Sequence, residues 1–482
     1  MGKIKEQSIS GFKWSAIERF ANQGINFGIS IILARLLSPT DFGIVGMLAI
    51  FMAISQSIID SGFSNALIRK KNATEVDFST VFYFNIIVGI ICYCILFIIS
   101  PWVADFFHIP SLKNILRVMA INVFINSLIV VQTAKLTINI DFKTQSKASL
   151  SATIISGIIG VICAYRGYGV WALVIQSIVQ VFFNATILWI ITKWIPRWTY
   201  SWKSFHELFT YGSKLLISGL IHQIYVQMTT LAIGKFYSAR DLGYYTRGNQ
   251  FASLPSSNLT NILQRVTFPI LAKLQDDDNK LIEVYRKYIK LTSLIIIFLM
   301  ILLSFIAKPL ILLILTDKWS ESIIYLQIFC FALMFDHITM INLNLLQVKG
   351  RSDLYLKLEI IKKTISIAIL FISIPFGVTA ICISRIIYSQ IALFINTYYT
   401  GKLFGLTYFT QVKDFIPYIF ISLISCIPTL ILNSFETYNW FLLIIECIIS
   451  FLCYGIFLIG IKDKIFIEYI FQPAKKYIYK YL

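Results

Sequence analysis

Polar side chains recur at helical spacing inside segments that are otherwise apolar. Near the start of the chain, Glu18, Asn22 and Asn26 follow one another at intervals of four residues, so they share one helical face, with Arg19 and Gln23 beside it. Carboxamides hydrogen bond to hydroxyl groups, a guanidinium binds phosphate oxygens, and a carboxylate can hold a proton or a cation. This face could therefore bind a polar anionic ligand or couple to an ion.

A second polar face lies 200 residues further along. Lys214, Ser218 and His222 repeat the spacing, with Ser218 at the position of Glu18 and His222 at that of Asn22. The following segment carries more polar groups on one side: Arg247, Gln250, Ser257, Asn261 and Arg265. A central charge facing lipid costs about 2.5–3.5 kcal/mol, so these faces must turn toward other helices or water. Each residue could simply join packed helices, but as a set we predict that they line a shared hydrated cavity.

Cations outnumber anions in these segments. The cations are Arg19, Lys214, Arg247 and Arg385, and the anions are Glu18, Asp60 and Asp336. A positively biased cavity suits an anionic headgroup, because charges act strongly where water is scarce. The candidates for ion coupling are Glu18, Asp60, Asp336, His337 and Glu359. A lone histidine in a membrane helix more often has a structural hydrogen-bonding role, which is the competing interpretation of His337.

The elements that carry these residues are apolar stretches of about 20 residues. The chain has 482 residues, of which 57% are hydrophobic and 14% charged, with a mean hydropathy of +0.75. We predict an all-α polytopic membrane protein with about fourteen transmembrane helices. The predicted spans are 12–37, 42–62, 80–100, 113–133, 148–165, 169–191, 209–236, 244–264, 289–312, 320–347, 356–375, 378–399, 415–432 and 440–461.

The basic residues predict the orientation of these spans. The net charge is +18, yet the loops assigned to the outside carry few cations, namely Lys113, Arg166, Arg240, Lys308 and Lys318. Most other lysines and arginines fall in the alternate loops and in both termini, which places those parts in the cytoplasm. This distribution is a topology signal, and we therefore expect no nucleic-acid partner.

A duplicated turn relates two halves of the chain. Residues 34–45 and 234–245 align without a gap, pairing Arg35 with Lys235, Ser38 with Ser238, Asp41 with Asp241 and Gly43 with Gly243. Ser and Asp at these positions are typical helix-capping residues. Two pseudo-symmetric six-helix bundles around a central cavity are therefore expected. The predicted divisions are 1–205 for the first bundle, 206–405 for the second, 406–462 for an additional helix pair and 463–482 for a basic cytoplasmic tail.

Motifs for enzymatic chemistry do not occur in the sequence. It contains no G-x-x-x-x-G-K-[ST], G-x-S-x-G, H-E-x-x-H or paired C-x-x-C pattern. All eight cysteines fall in apolar segments, where they are small packing residues. The predicted loops are short and hold no cluster of acid, base and nucleophile. We therefore expect no catalysis, no cofactor and no metal site.

Several strings resemble the polysaccharide-transport family of the multidrug/oligosaccharidyl-lipid/polysaccharide exporter superfamily. They are LARLLSPTDFGIVGM (33–47), DSGFSNALIRKK (60–71), GYGVWALVIQ (167–176), KFYSARDLGYYTRGNQ (235–250), RVTFPILAKLQDD (265–277) and KGRSDLYLK (349–357). The chain is most similar to the branch of lipopolysaccharide, colanic-acid and teichuronic-acid exporters, over residues 10–400. The resemblance implies two six-helix bundles around a cavity, fourteen spans and a lipid-linked saccharide as cargo.

That resemblance, combined with the polar faces, predicts a flippase of the bacterial inner membrane. An undecaprenyl-pyrophosphate-linked oligosaccharide would place its headgroup in the cavity and its tail in lipid. The residues expected to meet phosphate are Arg19, Lys214, Arg247 and Arg385, and those expected to meet sugar hydroxyls are Asn22, Gln23, Asn26, His222, Gln250 and Asn261. Expected partners are this cargo, membrane lipid, and a glycan polymerase and glycosyltransferases of the same pathway. The alternatives are a cation-coupled multidrug exporter and a membrane enzyme of glycan assembly.

Overall fold

A computed structural model describes residues 20–60, 62–433 and 438–472, without the side chains of residues 261–263, 265, 266 and 433. Every regular element in these ranges is helical. Eleven of the described helical segments are long and apolar enough to cross a membrane. The prediction of an all-helical, multi-pass membrane protein is therefore confirmed, while the count of fourteen spans stays a prediction.

Contacts divide the chain into two compact units, residues 1–243 and 244–482. The first unit holds ten helices in its described part. They are α1 (20–36), α2 (Pro39–Asp60), α3 (Phe63–Arg69), α4 (Glu75–Phe107), α5 (Leu112–Met119), α6 (Ile121–Ser127), α7 (Val130–Ile138), α8 (Phe142–Tyr165), α9 (Val170–Thr192) and α10 (Trp202–Phe236). Helix α10 packs on α2, α3 and α4. The contacts therefore group α10 with the first unit, whereas the predicted boundary at residue 205 assigns it to the second bundle.

Helix α11 (Ala239–Lys273) begins in the first unit and continues into the second. The remaining longer helices are α12 (Asp278–Phe305), α13 (Ala307–Leu315), α14 (Ser322–Leu333), α15 (Asp336–Val348), α16 (Ser352–Ser373), α17 (Val378–Phe404), α18 (Tyr408–Asn433) and α19 (Trp440–Gly460). Helices α11 and α16 cover predicted spans but are not among the eleven apolar candidates. Both are rich in charged and polar residues, which lowers their hydropathy.

Besides residues 39–69, which comprise α2 and α3, two other candidate spans combine more than one helix. Residues 112–138 are built from α5, α6 and α7, and residues 322–348 from α14 and α15. Where a span is broken, some backbone N–H and C=O groups lose their partners within the helix. Polar side chains nearby can form hydrogen bonds with these groups. Each interrupted span carries buried asparagines, including Asn122 in α6 and Asn342 in α15. In α15, the Asn342 amide donates to the Ile338 carbonyl oxygen at 2.9 Å.

The duplicated turn has the same geometry in both copies. Asp41 accepts hydrogen bonds from the Ser38 backbone N–H at 2.9 Å and the Ser38 hydroxyl at 2.6 Å, while the Asp41 N–H donates to the Ser38 hydroxyl at 3.3 Å. Asp241 and Ser238 repeat these three bonds at 3.2, 2.6 and 3.0 Å. The two side chains cap α2 and α11 reciprocally. The capping prediction is confirmed at both turns.

Candidate functional site

The predicted polar face of the first span makes hydrogen bonds inside the first unit. The Asn22 amide nitrogen donates to the Ser149 hydroxyl at 2.8 Å, and its oxygen accepts from the Thr153 hydroxyl at 3.2 Å. The Gln180 amide donates to the same Thr153 oxygen at 3.3 Å. Asn22 therefore connects α1 to α8, and through Thr153 to α9, which is the role of a packing residue. Four further predicted residues lie near it in sequence: Gln23 is half-buried, Asn26 is exposed, and Glu18 and Arg19 fall outside the described residues.

Helix α10 carries two of the predicted ligands, Lys214 and His222, on exposed positions. It packs through glycines, since the Gly212 backbone lies against the turn between α2 and α3, and a methyl group on Gly219 would lie 3.0 Å from a hydroxyl of α2. Lys214 lies about 150° and His222 about 70° around the helix from this packing face. Both side chains are exposed. Their cationic and imidazole groups are thus presented at the surface of the first unit.

Asp60 ends a chain of hydrogen bonds in the first unit. The Asn126 amide of α6 donates to the Gln56 oxygen at 3.0 Å, and the Gln56 amide donates to one Asp60 oxygen at 3.0 Å. The Asp60 side chain is exposed at the last residue of α2. The hydrogen bonds orient the carboxylate while leaving it accessible, which suits a group that takes up and releases an ion.

Two predicted ligands of the second unit contact each other. The Arg247 guanidinium donates to the Gln250 amide oxygen at 2.6 Å and lies 5.3 Å from the centre of the Trp319 ring. Arg247 is 3% exposed, so its charge is screened from solvent by the surrounding helices. A hydrogen-bond acceptor and an aromatic face of this kind offset the cost of burying a guanidinium. The third predicted ligand of α11, Asn261, has a side chain outside the described residues.

Helices α15, α16 and α17 pack together and bring several charges into one region. Lys362, 4% exposed, forms an ion pair with Glu359, one turn away on α16. The Asp336 carboxylate on α15 lies within electrostatic range of Lys362 and of Arg385 on α17. The Arg385 guanidinium, on an exposed side chain, lies 5.3 Å from the Tyr388 ring centre. Three predicted residues are thus neighbours, with a buried lysine among them.

Lys362 is the functional candidate that the sequence did not single out. Two features of the sequence could have indicated it. Lys362 lies within a predicted span, and it follows Glu359 by three residues, the spacing of an ion pair on a helix. His337 lies next to Asp336 in sequence but points into a packed interior, where its Nε2 lies 3.0 Å from the Ser293 hydroxyl. It is 1% exposed, which favours a structural role over ion coupling. Among the described residues, no group of three His, Cys, Asp or Glu could hold a metal ion.

Comparison with known proteins gives the family. The family described as "Polysaccharide biosynthesis protein" matches residues 32–324, which is more than half of the chain. The chain belongs to this family. One relative of this polysaccharide biosynthesis protein is the teichuronic acid biosynthesis protein TuaB of Bacillus subtilis (strain 168). The two sequences are 25% identical over 356 residues, which cover 73% of this chain and 74% of TuaB. It is 23% identical to the lipopolysaccharide biosynthesis protein WzxC of Escherichia coli (strain K12), over 74% of this chain and 73% of WzxC.

A solved structure defines the fold of this family member. The chain superimposes on the inward closed conformation of the lipid II flippase MurJ with a TM-score of 0.74. The match covers 93% of this chain and 99% of MurJ at 17% sequence identity. At that identity the likeness establishes the fold alone. The superfamily resemblance of the sequence is thereby confirmed at the level of family and fold.

Proposed function

We propose that this protein is a flippase that moves a lipid-linked oligosaccharide unit across the bacterial inner membrane for assembly of lipopolysaccharide, capsule or exopolysaccharide. The observation that carries the proposal is a flippase fold over 93% of the chain in a member of a polysaccharide biosynthesis family. The cargo would be an undecaprenyl-pyrophosphate-linked saccharide, whose charged and hydroxylated headgroup cannot cross hydrocarbon unaided. The cargo leaves with the bonds it had on arrival, so no catalysis is required.

The charged residues support an anionic headgroup as ligand. Lys214 and Arg385 are exposed, and their ammonium and guanidinium groups would bind the pyrophosphate together with Arg19 and, in a second conformation, Arg247. Arg247 is now bonded to Gln250, so it would have to exchange that partner for phosphate oxygens. His222, Gln23 and Asn26 would bind sugar hydroxyls, with Gln250 and Asn261. Asn22 contributes less, because both ends of its amide are already engaged.

An ion gradient would drive the cycle, or removal of the flipped unit on the outer side would do so. Asp60 is the best-placed coupling group in the first unit, because one of its oxygens is held by Gln56 while the side chain stays exposed. Asp336 is its counterpart in the second unit, with Arg385 and Lys362 close enough to respond to its charge. Uptake of a proton or cation at either carboxylate would change the local balance of charge and favour one conformation.

The division into bundles at 1–205 and 206–405, with a helix pair at 406–462 and a basic tail at 463–482, belongs to this proposal. The bundles would expose the polar faces to the two sides of the membrane in turn. Both termini would be cytoplasmic, as the distribution of lysine and arginine predicts. Glycosyltransferases would supply the lipid-linked unit, and a glycan polymerase would consume it.

Deletion of the gene separates this function from its alternatives. We expect cells without the protein to accumulate the complete lipid-linked unit on the cytoplasmic side, with an unchanged mass. A lipid-linked sugar of altered covalent composition, seen by mass spectrometry, would instead identify an enzyme of glycan assembly. Loss of dye efflux that depends on Asp60 or Asp336, with normal surface glycan, would identify a multidrug exporter and contradict the proposal.

A further inference from the structure

A basic cavity of the first unit is lined by none of the residues predicted to bind cargo or to couple to an ion. Its volume is about 280 Å³, and it lies where the last turns of α3 and α7 meet the first turns of α4. We call it the basic pocket. Its wall includes Lys70, Lys71, Phe78, Lys135, Ile138 and Asn139. No carboxylate belongs to the wall, which is built from three lysines and one asparagine beside apolar side chains.

Carboxylates outside the wall hold two of the lysines in place. Lys70 lies 3.0 Å from Asp77 and 2.9 Å from Glu207, and Lys135 lies 2.8 Å from Glu75. Burial works against the charge on Lys70, but its hydrogen bonds to the two carboxylates outweigh this effect and raise its pKa. A raised lysine pKa means that the ammonium stays fully protonated at neutral pH. Ion pairs thus hold both ammonium groups beside the wall of the cavity.

Lys71 is the lysine of the wall that these carboxylates leave without an ion pair. Its side chain is exposed, and within the described ranges it has no ion-pair partner. Lysines at helix C-termini are common because they complement the helix dipole. Here, however, three of them converge on one cavity next to Phe78 and Ile138, which is more than capping requires. An oxyanion attached to an apolar body would fit this combination of groups.

The surroundings of the basic pocket are those of a membrane interface. The Trp194 ring centre lies 4.8 Å from the Lys135 ammonium, and the Trp194 indole N–H donates to Glu75 at 2.7 Å. Trp198 in the same connecting segment and Trp202 at the start of α10 are 94% and 74% exposed. Exposed tryptophans prefer the headgroup layer. On the orientation predicted from the basic loops, this is the cytoplasmic leaflet, where anionic lipids attract lysine side chains.

We infer that the basic pocket binds the phosphate of an anionic bilayer phospholipid from the cytoplasmic leaflet. The ammonium groups of Lys70, Lys71 and Lys135 bind the phosphate oxygens, and the Asn139 amide donates an additional hydrogen bond. Phe78 and Ile138 contact the glycerol and the first acyl methylenes. The site holds a structural or regulatory lipid, and its existence does not depend on which cargo the protein carries.

Native mass spectrometry of the full-length protein in detergent tests this inference. The probes are phosphatidylglycerol and, as a zwitterionic reference, phosphatidylcholine. We expect selective retention of phosphatidylglycerol, weakened about 5-fold by Lys71→Ala, because one lysine near a phosphate contributes a factor of about this size. Lys71 has no ion-pair partner in the part of the chain that the structure describes, so its substitution should leave the melting temperature unchanged. Lys113→Ala, which removes an exposed lysine on a loop predicted to face outward, should retain the lipid as the wild type does.

Three results would overturn the inference. Equal retention of phosphatidylglycerol by the wild type and Lys71→Ala would show that the pocket does not hold the lipid. Displacement of the lipid by millimolar inorganic pyrophosphate would identify a site for a soluble anion. Binding of a polyprenyl pyrophosphate that depends on Lys71, without binding of phosphatidylglycerol, would assign the pocket to the cargo instead.

Discussion

Gly43 lies so close to Ala239 that a methyl group on Gly43 would sit 1.6 Å from the Ala239 carbonyl oxygen. The relation is reciprocal, since a methyl group on Gly243 would sit 2.0 Å from the Pro39 carbonyl oxygen. The two copies of the duplicated turn therefore pack backbone to backbone, each glycine against the first residue of the other copy's helix. Only glycine permits an approach this close.

Substitution of Gly43 by alanine should therefore destabilise the protein. The new methyl group overlaps a backbone oxygen, which cannot move aside as a flexible side chain can, so we expect a loss of about 1–3 kcal/mol in the free energy of unfolding. Gly28→Ala is the matched control, because nothing lies within 4 Å of the new methyl group and alanine is the better helix former. Melting temperatures in detergent that fall equally for both variants would refute this packing argument.

The ion pair of α16 predicts an asymmetric response to substitution. Glu359→Gln leaves the Lys362 ammonium, whose side chain is 5% exposed, without its anion and should cost about 3 kcal/mol. Lys362→Met should cost less, because the Glu359 side chain is 26% exposed and can be solvated. The double variant should recover most of the stability of the wild type. Thermal unfolding measures all three, and an unchanged melting temperature for Glu359→Gln would favour ion coupling over a structural pair.

Asn22 and Gln23 are adjacent in sequence but should respond differently. Asn22→Ala removes the hydrogen bonds to Ser149 and Thr153 and should cost about 1–3 kcal/mol in stability, with little change in the affinity for cargo. Gln23→Ala, at a half-buried position, should leave the melting temperature nearly unchanged. A weakened affinity for cargo in Asn22→Ala at normal stability would show that Asn22 is a ligand and not a packing residue.

Asp60 should be needed for coupling but not for folding. Asp60→Asn keeps the size of the side chain and a hydrogen-bond acceptor for Gln56, while removing the charge. In proteoliposomes we expect flipping of a labelled lipid-linked saccharide to lose its stimulation by an imposed ion gradient. Asp105→Asn, another exposed carboxylate of the first unit, is the control and should keep that stimulation. Full stimulation in Asp60→Asn would remove Asp60 from the coupling candidates.

Local patterns in the sequence were enough to predict the helical membrane fold and the capped turns. Apolar runs locate most helices, and the Ser–Asp pair of each duplicated turn is a short-range signal that needs no tertiary contact. The partners of Asn22 lie 127 and 131 residues away, and no periodicity reveals such pairs. The burial of Lys362 likewise depends on how α15, α16 and α17 pack. The described residues of the polar faces lie on helices, but which of them pack against other helices could be seen only in the structure.

The same limit applies to the boundary between the two halves. The sequence repeat places α10 with the second half, because the turn at 234–245 mirrors that at 34–45. The contacts of α10 with α2, α3 and α4 place it in the first unit. A repeat records how a chain was duplicated, whereas packing depends on where small residues such as Gly212 and Gly219 allow close approach.

Flipping of a lipid-linked saccharide by the double variant Lys214→Ala/Arg385→Ala tests the central proposal most directly. Both side chains are exposed, so the variant should fold normally, and Lys113→Ala/Lys462→Ala removes two exposed cations elsewhere as a control. The measurement is the rate at which a labelled pyrophosphate-linked saccharide becomes accessible on the opposite side of proteoliposomes. We predict a loss of at least about 10-fold for the first variant, since each ammonium or guanidinium contact to phosphate is worth about 1.5–3 kcal/mol, and no loss for the control. A wild-type rate in Lys214→Ala/Arg385→Ala would contradict the account of a cationic site for the headgroup.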